Sequence, residues 1–436
     1  MKNKEKPKFN YGKTLLLGFG FFGVSVIWSV YNAFVPLILD GRFGLQAGWI
    51  SFIMVLDNIA ALIIQPPLGV FSDRLRSPLG RRLPFIVVGA PVAAGMFGLI
   101  PFAQVLPLFI FSCITLLLAM AFWRTPVVAL MPDITPSHSR SQANGVINMM
   151  GGLGTVLATL IGGPLYNMNQ SYPFFFAAGL VLLAGIMVLI FIREPKQYIA
   201  SKIHLAAKGK ETQMENKVLK NLGNVFTQEE KSPMYILLAI LFWFIAYNAL
   251  DTFFTLYGVN YLGLEGGDSA FQISYIGLVF MLFAVPAGIL ASKIKRKVTI
   301  IIGIVVMISC VILMYVLPVD ILTLKFASLM GSGFYVLSIV LMVAGVGWAM
   351  INVNSLPMVV DMTDDDRIGT YTGLYYFFSQ LAATFGPVLF GWTIQWANND
   401  YRLMMVIAPF FFLLALLSML RVRKGEAQQA ETKLTD

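Results

Sequence analysis

Three charged side chains lie inside long apolar runs: Asp57 in FIMVLDNIAALIIQPPLG, Arg124 in LLLAMAFWRTPVVALM and Asp251 in FIAYNALDTFFTLY. Left unpaired at the centre of a helix in lipid, each would cost roughly 2.5 to 3.5 kcal/mol, so each is expected to face a partner or a wet cavity. A carboxylate and a guanidinium at such depth can form a static ion pair that pins two helices. They can also form a proton site, because a buried carboxyl gains or loses its proton as its access to water and to a neighbouring cation change together. Asp57 stands 12 residues before Gly69, about 18 Å along a helix, and Arg124 nine residues before Asp133, about 13 Å. Those depths let the two meet, with Asp57 the first choice for the proton, Arg124 its partner and a candidate sugar ligand, and Asp251 the second candidate for the proton. Both histidines, His138 and His204, fall in polar connectors, which leaves carboxylates as the proton carriers within the runs. No nucleophile stands beside a base and no set of metal ligands recurs, so neither enzyme chemistry nor a bound metal or cofactor is expected. Cys113 and Cys310 both fall inside apolar runs, which supports neither a disulfide framework nor a thiolate cluster.

The apolar runs must position these groups. Of 436 residues, 58% are hydrophobic and 12% charged, far too oily for a soluble domain. Runs long enough to cross roughly 30 Å of hydrocarbon recur twelve times, at 14 to 39, 46 to 71, 83 to 101, 106 to 131, 144 to 166, 173 to 192, 234 to 262, 270 to 292, 298 to 317, 334 to 360, 371 to 396 and 402 to 420. The fold class is an all-α membrane protein with twelve transmembrane helices. Residues 1–192 hold the first six spans behind a basic tail, and residues 234–436 hold the second six and a further tail. Between them, 193–233 is rich in Lys, Glu, Gln and Asn and reads as a linker with room for a short surface helix. The start, MKNKEKPKFNYGK, has no small-residue cleavage site and runs into an apolar stretch too long for a signal peptide. Of the 31 Lys and Arg, Arg124 is inside a span, Arg42, Lys325 and Arg402 fall on one side, and the remaining 27 fall on the other with the tails. By the positive-inside rule both termini are cytoplasmic. The net charge of +9 therefore reflects topology and lipid headgroup contact, and its dispersion argues against a nucleic-acid partner.

Matches between the two halves recur in order. Tyr31, Asn32 and Ala33 return as Tyr247, Asn248 and Ala249, while Asp133, Thr135, Gly145 and Gly163 return at one offset as Asp361, Thr363, Gly373 and Gly391. The loop after the second span, GVFSDRLRSPLGRR, has a faded copy in Gly288 and Lys293 ahead of KRK. Two six-helix bundles related by a pseudo-twofold axis along the membrane normal follow from this order. GGLGTVLATLIGG in the fifth span offers small residues for close packing. The basic loop can serve topology alone, or it can act as a latch: Asp73 facing a helix N-terminus, and Arg74, Arg81 and Arg82 bonding Asp133 or Asp361 when the cytoplasmic side is shut.

The Gly, Asp–Arg and Gly–Arg–Arg spacing of this loop resembles the loop between helices 2 and 3 of the major facilitator superfamily. More narrowly, QPPLGVFSDRLRSPLGRRLPFI, VVALMPDITPSHSRSQANGVINMMGGLG and LPMVVDMTDDDRIGTYTGLYYFFS resemble the sucrose/proton symporters and the wider glycoside, pentoside and hexuronide cation symporters. The resemblance implies alternating access around a site between the halves, and a glycoside substrate of the sucrose or maltose kind. It implies that Tyr31, Asn32, Trp123, Trp348, Asn352, Tyr375 and Gln380 stand on helices that line that site. Asp251 in YNALDTFFTLY, with Asn248, and Asn58 beside Asp57 join them as candidate sugar ligands by residue type, since aromatics stack on ring faces while amides and acids meet hydroxyls. Sodium-coupled members of the family carry acids eight and four residues before the loop glycine, where this chain has Ala61 and Gln65. That departure favours a proton over sodium as the co-transported ion. The expectation is a monomeric multi-pass protein of the plasma membrane whose partners are a sugar and the bilayer. Its rivals are an exporter of drugs or a lysolipid transporter on the same fold, and a transporter-like sensor of sugar.

Overall fold

The computed structural model describes residues 11–75, 77–135, 140–192, 230–363 and 368–426. The first half comprises α1 (Tyr11–Gly41), α2 (Ala47–Met54), α3 (Leu56–Arg74), α4 (Leu83–Leu99), α5 (Leu106–Ile134), α6 (Arg140–Met168) and α7 (Tyr172–Phe191). The second comprises α8 (Ser232–Asn260), α9 (Gly266–Ile294), α10 (Arg296–Val316), the short α11 (Val319–Leu322), β1 (Lys325–Leu329), β2 (Ser332–Tyr335), α12 (Val336–Val360), α13 (Ile368–Trp396) and α14 (Met404–Arg421). Among the described residues, twelve crossings are long and apolar enough to span a membrane, with α2 and α3 together making the second. The expected linker, 193–233, lies outside the described residues up to 229, and α8 already begins at Ser232.

The repeat seen in the sequence is a repeat of packing. In the first half α1 lies against α6 and α7, α4 against α5 and α7, and α3 against α5; in the second, α8 lies against α13 and α14, α10 against α12 and α14, and α9 against α12. The halves meet along α6 and α9, α2 and α13, and α1 and α8. Where α6 crosses α9 the backbones nearly touch: a Cβ built on Gly267 would stand 2.1 Å from the carbonyl oxygen of Gly163. Only glycine fits there, which gives Gly163 a packing role.

An even number of crossings puts the start of α1 and the end of α14 on one face, here the terminal face; the other is the distal face. Two features depart from the expected spans. The second crossing breaks at Val55, with φ −87° and ψ −4°, so that Asp57 falls in the first turn of a new helix. Asp57 Oδ1 accepts the Asn58 backbone N–H at 2.7 Å, a local bond that competes with the helical ladder. The tenth crossing starts at Val336 and not at 334, because 325–335 forms a hairpin paired Lys325 to Tyr335 and Leu329 to Ser332. Its turn places Met330 at φ 55° and Gly331 at φ 88°, the doubly positive pattern that suits the twist of a tight hairpin.

Candidate functional site

A chamber of about 460 Å³ lies between the halves, walled by α1, α5, α6, α8 and α9. On α1 the wall is Phe21, Ser25, Trp28 and Asn32, spaced by three or four residues on one helical face, with Ser29 beside them. Arg124 enters from α5, Asn148, Thr155 and Thr159 from α6, and Tyr247 and Asp251 from α8. Tyr247 is stacked flat on Trp348, centroids 3.7 Å apart at 3°, and Phe244 meets Trp348 edge-on at 5.5 Å. That packing fixes the Tyr247 ring as a rigid part of the wall. Thr159 donates its hydroxyl to the Thr155 carbonyl at 3.1 Å, which leaves its oxygen lone pairs for a donor in the chamber.

A second chamber of about 110 Å³ adjoins the first through Asn32 and Asp251, which line both. Asp57, Asn58, Asn248 and Thr252 complete its polar wall. Asn32 on α1 and Asp251 on α8 thus stand where the two chambers join. Asn248 donates one of its two amide N–H groups to the Phe244 carbonyl at 2.7 Å, and Thr252 its hydroxyl to the Asn248 carbonyl at 2.8 Å. Two carboxyls, an amide oxygen and a hydroxyl oxygen thus border one small space as acceptors. Asn58 ties this wall to the other half, accepting from Gln380 Nε2 at 2.7 Å and donating to the Ala383 carbonyl at 3.5 Å.

The distal end above both chambers is closed by hydrogen bonds between the halves. Asn399 Oδ1 and Gln395 Oε1 accept from the backbone N–H groups of Ala47 and Gly48, each at 3.1 Å. Asn260 donates to Asp40 at 3.1 Å. Asn167 accepts from the Gly267 N–H at 2.8 Å and donates to Asp268 Oδ1 at 3.2 Å, while Tyr335 donates to Asp268 Oδ2 at 2.8 Å. Burial and the adjacent Asp268 carboxylate hold the Tyr335 hydroxyl well above its ordinary pKa, so it remains a donor.

A profile of the Major Facilitator Superfamily matches residues 17–334 and 321–435. The chain belongs to the major facilitator superfamily. Among curated members, it is 29% identical over 197 residues to the general alpha-glucoside permease of Schizosaccharomyces pombe, covering 39% of this chain and 35% of that one. It is 26% identical over 275 residues to multidrug resistance protein 1 of Bacillus subtilis, covering 61% and 63%, and 25% identical over 268 residues to the quinolone resistance protein NorA of Staphylococcus aureus, covering 58% and 63%. The chain thus spans less than two thirds of the length of these relatives. Solved structures share the fold: an inward-facing, occupied bacterial homologue of the human lysosomal transporter Spinster superposes with a TM-score of 0.70 at 12% identity, covering 93% of this chain and 95% of that one. A D-xylose–proton symporter does so with 0.65 at 14% identity, covering 95% and 97%.

Within this facilitator fold the expected site residues divide. Asn32, Asn58, Asn248, Asp57, Asp251 and Arg124 border the chambers. The expected direct pair of Asp57 and Arg124 is not formed: each feels the other's charge, but Asp57 opens to the small chamber and Arg124 to the large one. Tyr31, 1% exposed, stands behind the wall with its ring edge-on to Trp28. Trp123 is fully buried against Gly23 of α1 and Gly89 of α4. Trp348 supports Tyr247 from behind, and Tyr375 is buried against Ser355, at 3.1 Å between the hydroxyls. The Asn352 carbonyl accepts from Ser355, and Asn352 is absent from either chamber wall. Gln380 acts through Asn58. At the terminal face, Arg82 is buried and donates to Ser72, with Arg81 half-buried beside it. Asp361 is paired with Arg296 of its own half, and among the described arginines after α3 neither Arg81 nor Arg82 pairs with it. Arg296 belongs to the faded second copy of the basic loop, so in the second half the cation beside this acid is a local one. The side chains of Asp73, Arg74 and Asp133 lie outside the described residues. Sequence reasoning missed Trp28, Ser25, Ser29, Asn148, Thr155, Thr159 and the wall role of Tyr247; the three-and-four spacing of polar and aromatic residues on α1 was the available signal.

Proposed function

We propose that this facilitator takes up a neutral glycoside of disaccharide size together with one proton, by alternating access, with both termini in the cytoplasm. The observation that carries the reading is the pair of chambers sharing Asn32 and Asp251. The larger has a volume within the roughly 300 to 1,000 Å³ of small-molecule sites. Its hydroxyls, amides and the Tyr247 ring suit a substrate that is polar at its edges and apolar on its ring faces. The smaller is rich in acceptors, which a proton on a carboxyl would relieve.

Charge supports the same assignment. Asp57, Asp251 and Arg124 sum to −1 among the groups deep in the spans. One proton with a neutral sugar brings the loaded centre to zero, the least costly charge for an occluded state in a low-dielectric slab. Asp57 is the proton site, with Asp251 linking it to the sugar through Asn32. The closed distal end corresponds in this reading to a form open toward the cytoplasm.

The curated relatives include both a glucoside permease and drug-resistance proteins, so export of an apolar drug is the second reading. The polar wall of the large chamber favours the sugar. Counterflow of labelled mono- and disaccharides in proteoliposomes separates them. Exchange of a disaccharide supports uptake; exchange of a cationic dye alone supports the exporter; binding without exchange supports a sensor.

A further inference from the structure

The hairpin between α10 and α12 plays no part in the chambers, yet its composition is odd for a loop facing water. All five residues of β1 are exposed, and Phe326, Leu329 and Met330 are 57%, 49% and 55% exposed. Met330 occupies a left-handed turn position, φ 55°, that suits Asn or Gly better than a long apolar side chain. The patch does not stop at the hairpin. Val316 at the distal end of α10, Ile321 and Leu324 before β1, and Ile339 and Val343 at the distal start of α12 are exposed too. Val316, Ile339 and Val343 belong to membrane spans, so the hairpin's apolar strand continues a surface that already faces lipid.

We propose that the hairpin lies in the headgroup region of the distal leaflet, with Phe326, Leu329 and Met330 reaching the upper acyl chains and the Lys325 ammonium meeting lipid phosphate. Depth follows from the backbone. One edge of β1 is paired with β2, but its other edge presents N–H and C=O groups that hydrocarbon could not satisfy. The headgroup layer offers water and phosphate to that edge and acyl chains to the side chains below it. The inner strand is anchored to the distal seal: Gln272 Nε2 donates to the Gly333 carbonyl at 2.9 Å, and Tyr335 donates to Asp268. The lipid contact therefore bears on the α9 end that Asn167 holds across the halves.

The test places a nitroxide on Phe326→Cys and on Met330→Cys, with Asn398→Cys as an exposed distal control, in the full chain with the buried Cys113 and Cys310 replaced by Ala. In phosphatidylcholine–phosphatidylglycerol vesicles, the ratio of relaxation by oxygen to relaxation by a water-soluble nickel chelate should be severalfold higher at 326 and 330 than at 398. Equal, nickel-dominated relaxation at all three positions would put the hairpin in water and overturn the proposal. Spectral broadening at 326 or 330 that disappears on dilution with unlabelled protein would overturn it in favour of a contact between two copies of the chain.

Discussion

Replacing Asp57 by Asn removes the ionisable carboxyl and little else. The amide oxygen of the new side chain can still accept the Asn58 N–H that Asp57 holds at 2.7 Å. The lost attraction between a carboxylate and a helix N-terminus costs about 0.3 to 1 kcal/mol, too little to unfold the protein. The effect on coupling is far larger. With one proton per sugar, an inward gradient of one pH unit supplies about 1.4 kcal/mol, and about 100 mV of membrane potential supplies a further 2.3 kcal/mol. Their sum, about 3.7 kcal/mol, supports ~500-fold accumulation. In the Asp57→Asn protein that ratio should fall to about 1, because the amide mimics a permanently protonated acid. Counterflow at equal concentrations, which needs no net proton movement, should persist. Proteoliposomes loaded at neutral pH and diluted into acidic buffer with a potassium diffusion potential measure both quantities in one preparation. Full accumulation by the variant would refute the assignment of Asp57. Loss of counterflow in a folded variant would make Asp57 a sugar ligand.

Other consequences follow from the same geometry. Tyr247→Ala should raise the sugar concentration for half-maximal counterflow by up to about tenfold, since an aromatic stack is worth about 0.5 to 1.5 kcal/mol, while Tyr247→Phe should change it little. Asn167→Ala removes one bond from a backbone N–H and one to a carboxylate across the halves; at roughly 0.5 to 1.5 and 1.5 to 3 kcal/mol, the shift toward a distal-open form should be at least about tenfold, read from distances between spin labels across the distal end. Gly267→Val should prevent distal closure outright, given the 2.1 Å approach of a Cβ to the Gly163 carbonyl, and should abolish exchange while leaving the protein folded by circular dichroism. Arg296→Ala should cost no more than about 1 kcal/mol of stability, because its pair with Asp361 is partly exposed, at 22% and 36%; a shift in Tm of a few degrees at most would be seen.

The twelve crossings were legible because run length alone decides whether a helix can span hydrocarbon. The isolated charges were legible for a related reason: lipid would penalise Asp57, Arg124 and Asp251, so only an interior position remained. Aromatics carry no such signal. Lipid and protein core are equally apolar, and a tyrosine or tryptophan is at home in either. Hence Tyr31 and Trp123 are buried behind the wall while Tyr247 and Trp28 form it, although Tyr31 and Tyr247 occupy matching places in the repeat. The break at Val55 was hidden because VLDN contains neither glycine nor proline; the local Asp57–Asn58 bond takes their place. The hairpin was hidden by its apolar second strand, which reads as the start of the tenth span.

The central claim is that sugar and proton cross together. Adding disaccharide to an unbuffered suspension of de-energised proteoliposomes, with a pH electrode in the medium, tests it most directly. The account predicts that the medium turns alkaline as labelled sugar enters, with about one proton taken up per sugar, and that the Asp57→Asn protein lets sugar in with no pH change. Sugar entry through the unaltered protein at constant external pH would contradict it.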